Sequence, residues 1–239
     1  VKLDLCRLTT ARGATIAALD YEARRPRGVT LVAGHGYSSS KQNLDPLCGF
    51  LASHGYRVIS VDFPGHKLGS SGGVLASIAD LTDAVASAIA YARASGDATI
   101  YTLGHSMGAS TALRACAADP TIAGAISIAT GYGRPSALAA ITRGGVVDLR
   151  SSYVDGLTLP ELVVDVDAVL DAALAALAGR PVLYVAASRD GMVSRASAQE
   201  LFDRAPEPKT FATVESDHTY AGENARAVVL AWLNERHER

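Results

Sequence analysis

The sequence lacks the marks of several whole classes of protein. Only three cysteines occur in 239 residues, Cys6, Cys48 and Cys116. Their odd number and wide spacing suit neither a disulfide framework nor a zinc site, so they are expected to be reduced core residues. No charge of one sign dominates. With 22 Lys and Arg against 24 Asp and Glu, the formal net charge is -2, which leaves no electrostatic footprint for nucleic acid or an anionic membrane. No apolar run approaches the roughly eighteen residues of a membrane span. The chain opens at Val1 on an alternating segment, without the basic and then hydrophobic regions of a signal peptide. A soluble, cytoplasmic protein is expected.

What is present is an ordinary globular balance, 49 % hydrophobic and 19 % charged, at a length that one large core can hold. A single domain over residues 1–239 is expected. "KLDLCRLTT" and "TIAALDYEA" alternate with period two about "ARGA", which predicts an antiparallel hairpin. The rhythm then changes to compact apolar runs separated by helical spacing. Strands are expected at "GVTLVAGHG", "YRVISVDFPG", "ATIYTLG", "AGAISIAT", "PVLYVAAS" and "TFATV". Helices are expected near Gln42–His54, Leu75–Ala94, Met107–Ala118, Pro160–Ala178, Ser194–Arg204 and Asn224–Arg236. Such alternation, with strands apolar on both faces, argues for an α/β protein in three layers: a mostly parallel sheet, helices on both sides, and the antiparallel hairpin at one edge. Between Gly131 and Arg180 roughly fifty residues stand where one crossover helix would do, and a connection of that length usually has a function.

Two segments fit Gly-x-Ser-x-Gly, "GHSMG" centred on Ser106 and "GSSGG" centred on Ser71. A strand runs directly into Ser106 and a helix directly out of it. This is the strand-to-helix turn on which a serine hydroxyl stands above the sheet, with the following amides pointing at whatever it attacks. No strand runs into Ser71, whose glycines read as a flexible turn. A serine hydroxyl near neutral pH needs a base, and the base needs an orienting partner. Of six histidines, His54 and His237 read as surface residues, and His105 is the nucleophile's own neighbour. His218, in "VESDHTYAG", follows the last strand and so lies at the same end of the sheet as Ser106. Asp190, delivered by the strand "YVAAS" and followed by Gly191, is the best orienting carboxylate. Asp217 is the rival, although as the sequence neighbour of His218 it reaches the ring poorly. Oxyanion amides are expected from Met107, next after the nucleophile, and from Tyr37 in "HGYSSSK". His35, in the same loop, reads as structural.

With "GHSMG", "GHGYSSSK", "VDFPGH" and the late Asp and His loops, the sequence resembles the α/β-hydrolase superfamily over nearly its whole length. It is most similar to the compact serine esterases, the feruloyl-esterase-like and monoacylglycerol-lipase-like group. The resemblance implies Ser106 as nucleophile, His218 as base, Asp190 as its orienter, Tyr37 and Met107 as oxyanion donors, and a small cap over the site at about 131–179. It implies neither metal nor organic cofactor. Where the family usually has D-x-x-G-H-G-x-S, Lys67 and Leu68 follow His66, so that loop is expected to bend differently.

Fold does not fix reaction, because this superfamily hosts many chemistries on one triad. A carboxylesterase acting on small to medium acyl or aryl esters is the leading expectation. Leu138, Ile141, Val146, Val147, Leu149, Tyr153, Val154 and Leu157 are candidates to line an acyl pocket. A thioesterase ranks lower, since no basic cluster offers a coenzyme A handle. A peptidase or amidase stays open, with Asp148, Asp155, Asp165 or Asp167 available to hold a peptide amine. A ligand-binding protein that keeps the pocket without turnover is the remaining alternative, disfavoured by the complete constellation.

Overall fold

The structure is a computed structural model, and it describes residues 1–133, 146–164 and 166–237, with the side chains of 146–148 excepted. Eight strands form one sheet: β1 (Lys2–Thr9), β2 (Thr15–Glu22), β3 (Val29–Gly34), β4 (Arg57–Val61), β5 (Thr99–His105), β6 (Gly124–Ile128), β7 (Val182–Ala187) and β8 (Lys209–Val214), in the order β1-β2-β4-β3-β5-β6-β7-β8. The hairpin closes in register from Lys2 opposite Glu22 to Thr9 opposite Thr15, and β2 runs antiparallel to β4. Every pairing from β4 through β3, β5, β6 and β7 to β8 is parallel. This is the α/β-hydrolase fold.

Period two explains the layers. Leu31 and Ala33 of β3, Ile126 and Ile128 of β6, and Leu183 and Val185 of β7 face one way. They pack on Leu47 and Leu51 of α1 (Asp45–Ser53) and on Val229, Trp232 and Leu233 of α9 (Arg226–Asn234). Val32, Val182 and Tyr184 face the other way, towards α2 (Ile78–Ala94), α3 (Met107–Ala118), α6 (Val166–Ala175) and α7 (Arg195–Arg204). Both faces are thereby buried, so the central strands read as continuous apolar runs.

Two expected helices come out differently. The one placed near Gln42–His54 opens as a 3-10 turn over Lys41–Leu44, and the α-helix proper starts at Asp45. Pro46 sets that start, because proline lacks an N–H and fits only the first turn. The one placed at Pro160–Ala178 is two helices, α5 (Leu159–Val163) and α6. The β-branched residues Val163, Val164 and Val166 weaken helix propensity where the two meet. A further short helix, α4 (Val146–Ser151), precedes them, and α8 (Ala221–Asn224) leads into α9.

The segment after α4 is clamped to the loop after β4. Lys67 N–H donates to Tyr153 O (2.9 Å), Leu75 N–H to Asp155 O (2.8 Å) and Leu157 N–H to Leu75 O (2.8 Å). A Cβ at Gly65 would stand 2.4 Å from Asp155 O, and one at Gly156 2.1 Å from Leu75 O, so these backbones meet only where no side chain intervenes. The departure at Lys67 serves this clamp, since its ammonium donates to Ser152 O (2.9 Å) and pairs with Asp155 (3.0 Å). Among the described residues no helix is long and apolar enough to cross a membrane.

Candidate active site

Parallel strands deliver their loops to a common edge. Tyr37 follows β3, Ser106 ends β5, Asp190 follows β7 and His218 follows β8, all at the carboxyl end of the sheet. Ser106 sits at φ 56° and ψ -116°, a left-handed backbone that costs a non-glycine residue about 1–3 kcal/mol. Its neighbours hold it there. Ser106 N–H donates to Ile128 O (2.8 Å), and its carbonyl accepts from the amide of Ala109 (3.0 Å). Gly104 and Gly108 make the turn possible, for a Cβ at Gly104 would lie 2.0 Å from Gly108 O and one at Gly108 2.1 Å from Gly34 O.

The three side chains named from sequence meet. His218 Nε2 lies 3.0 Å from Ser106 Oγ, and His218 Nδ1 lies 2.8 Å from Asp190 Oδ2. Asp190 Oδ1 accepts the amides of Met192 and Val193, both at 2.8 Å, so one oxygen fixes the loop while the other holds the imidazole. Burial pushes the Asp190 carboxyl up in pKa, but the His218 hydrogen bond and charge, followed by the two amides, outweigh it and leave the group below the usual carboxylate range. Asp217 accepts the Tyr220 amide (3.0 Å) and serves the turn into α8. Ser71 Oγ donates to Asp62 O and accepts from Ala17 N–H, both at 2.8 Å, which makes it a strut between the β4 loop and β2. Met107 is the first residue of α3, a position whose N–H finds no partner within the helix. It lines the same cleft as Tyr37 and Ser106.

His35 is fully buried behind this edge. Its Nδ1 donates to Gly36 O (2.8 Å), and its Nε2 accepts the Phe63 amide (3.0 Å), a pattern that only the neutral ring satisfies. Beside it, Lys41 and Asp62 form a buried ion pair at 2.5 Å, and Asp62 also accepts the Lys41 amide (2.7 Å). The pair ties the Tyr37 loop to the end of β4. Both residues stand in segments that the sequence singles out, "HGYSSSK" and "VDFPGH", yet nothing in either segment announces that they pair.

His105 donates from Nε2 to the carbonyl of His218 (2.7 Å), steadying the loop that carries the imidazole. Burial, with the charge of His218 second, draws its pKa down to about 4. Burial, with His66 second, draws His35 down to about 3. In the unfolded chain both return to about 6.5. Between these values the unfolded state carries protons that the folded state refuses, so stability falls as the solution is acidified. Two such groups imply a loss of roughly 2–3 kcal/mol per pH unit between about pH 5.5 and 4.5. Urea midpoints measured from pH 7 to 4.5 should drop accordingly, and a flat profile would count against buried neutral rings.

Two clefts meet at Tyr37, Ser106 and Leu159. The first encloses about 580 Å³, part of it open to solvent, and is mostly apolar, walled by Leu81, Leu159, Leu162, Val163, Val166 and Val169. The second, about 1030 Å³, is more polar, with Ser38, Ser39, Asn43, Arg150 and Thr219. The apolar wall thus comes mostly from α5 and α6, with Leu81 supplied by α2. Leu149 and Tyr153 are exposed, Val154 is packed into the core, Leu157 packs against the core and accepts the Tyr37 hydroxyl at its carbonyl (2.9 Å), and none of the four lines either cleft. Leu138, Ile141 and Asp165, and the side chains of Val146, Val147 and Asp148, lie outside the described residues. Sequence reasoning passed over Arg114, which also borders the apolar cleft.

The sheet order, the strained serine and its hydrogen-bonded histidine and carboxylate place the protein in the class of α/β serine hydrolases. Residues 24–169 match the serine aminopeptidase, S33 family, and the chain belongs to it. Solved structures agree on the fold. An esterase from Pyrococcus furiosus, Pf2001, superposes with a TM-score of 0.76 at 18 % identity, over 99 % of this chain and 89 % of that one. The esterase domain of a Rhodothermus marinus protein gives 0.69 at 20 % identity, over 98 % and 99 %. The α/β hydrolase GrgF from Penicillium sp. sh18 gives 0.73 at 16 % identity, over 99 % of both chains. Among curated proteins, none matches the sequence.

Proposed function

We propose that the protein is a serine carboxylesterase that hydrolyses small to medium acyl or aryl esters through an acyl-enzyme on Ser106. The observation that carries the reading is the unbroken path from Asp190 through His218 to Ser106, opening on an apolar cleft. In this reading Ser106 Oγ attacks the ester carbonyl while His218 Nε2 takes its proton, and Asp190 keeps the other ring proton on Nδ1. The amides of Met107 and Tyr37 hold the tetrahedral oxyanion. His218 returns the proton to the leaving alcohol, and water repeats the steps on the acyl-enzyme. The segment at about 131–179 acts as a cap, its α5 and α6 forming the acyl wall.

The family's name raises aminopeptidase activity, which requires an anion to hold a free α-amine. Among the described residues no carboxylate lines either cleft. Asp155 is engaged by Lys67, and Asp167 accepts the Gly133 amide (3.1 Å). Esters are therefore favoured over peptides. A p-nitrophenyl ester series from acetyl to long acyl, run beside aminoacyl p-nitroanilides, tests the choice, and a fluorophosphonate should add to Ser106 alone. Anilide turnover exceeding ester turnover, or a label on another residue, would sink the proposal.

A further inference from the structure

Arg114 stands one turn beyond Ser110 on the same face of α3, and both border the apolar cleft together with Ser106, which precedes the helix. It is half-buried, and among the described residues its side chain hydrogen-bonds from its two terminal nitrogens to one carbonyl, Ile78 O, both at 3.3 Å. Among the described residues no carboxylate pairs with it. The contrast is Arg57, which is similarly enclosed but held by Asp20 (2.5 Å) and Asp97 (2.6 Å). A guanidinium taken out of water is ordinarily matched by an anion, and its planar fork suits a carboxylate bidentately.

We propose that Arg114 is the receptor for a carboxylate at the far end of the substrate's acyl chain, so that the preferred substrates are half-esters of dicarboxylic acids. The inference rests on the esterase reading above. Burial lowers the guanidinium to about 10, which keeps it protonated at neutral pH. Seven helical steps carry the chain from Met107, next after Ser106, to Arg114, about 10 Å along the axis, and helical side chains lean back towards the N-terminus, so the charge lies nearer than that. An acyl chain of roughly six to nine carbons spans the remaining gap, its methylenes against Leu81, Leu162, Val163 and Val166.

The test compares monomethyl esters of adipic to azelaic acid with methyl esters of the matching unsubstituted fatty acids, followed by acid release. Wild type should favour the anionic ester in kcat/KM by tenfold or more. Arg114→Gln should bring that ratio to one or below, and Arg114→Lys should fall between. Equal or lower wild-type turnover of the anionic series while neutral esters are hydrolysed overturns the proposal and leaves the esterase reading standing. So does a ratio untouched by Arg114→Gln. If no ester of either kind is hydrolysed, the esterase reading fails. Suberate binding by calorimetry then decides the anion site: binding lost in Arg114→Gln supports it, and no binding to wild type refutes it. Should the glutamine variant fail to fold, the wild-type ratio and Arg114→Lys carry the same decision.

Discussion

Ser106→Ala is expected to lower ester turnover by about 10⁴–10⁶-fold while leaving the fold intact. The hydroxyl is the nucleophile on which the Asp190–His218 pair acts, since His218 Nε2 has Ser106 Oγ as its partner at 3.0 Å. Removing it leaves the oxyanion amides and the cleft to work on water alone. For the same reason Ser106→Ala combined with His218→Ala should cost little more than either change alone, because the residues act as one unit. Stability should move the other way in a second variant. The serine is held at φ 56°, where alanine is equally strained but glycine is not. Ser106→Gly should therefore be as inactive as the alanine variant and more stable than wild type, by about 1 kcal/mol. Steady-state kinetics and urea melts on the three proteins check both statements. Residual activity within tenfold of wild type in Ser106→Ala would move the nucleophile elsewhere.

Most of the frame was legible because each site residue is announced by the element that delivers it. Ser106 and Asp190 follow compact apolar strands at once, and His218 lies in the short loop after the last one. In a parallel sheet, loops after strands share one edge. The unbroken apolar runs of β3 and β7 marked them as strands buried on both faces. What could not be read depends on contacts between distant segments. Nothing in "VDFPGH" says that Asp62 will meet Lys41, and nothing in "YVDGLT" says that Val154 packs inward while Tyr153 faces solvent. Arg114 escaped for a related reason. In "ALRACAA" it has the look of an ordinary solvent-face cation, and it is the packing of α2 and α6 against α3 that encloses it.

Asp190→Asn should cost about 10⁴-fold in kcat near neutral pH with almost no change in melting temperature. The position of Oδ1 is fixed by two N–H donors, the amides of Met192 and Val193. An asparagine must keep its carbonyl oxygen there, which turns its NH₂ to the place of Oδ2, facing His218 Nδ1. A donor at that place can be met only by an unprotonated Nδ1, so the ring proton moves to Nε2. An Nε2 that carries a proton cannot accept one from Ser106, and the nucleophile goes unactivated although every heavy atom has kept its position. Asp190→Ala separates the two duties of the carboxylate. It loses the tautomer control and also the two amide bonds, so its melting temperature should fall where that of the asparagine variant does not. Activity of Asp190→Asn within about 10²-fold of wild type would mean that the imidazole is oriented by something other than this carboxylate.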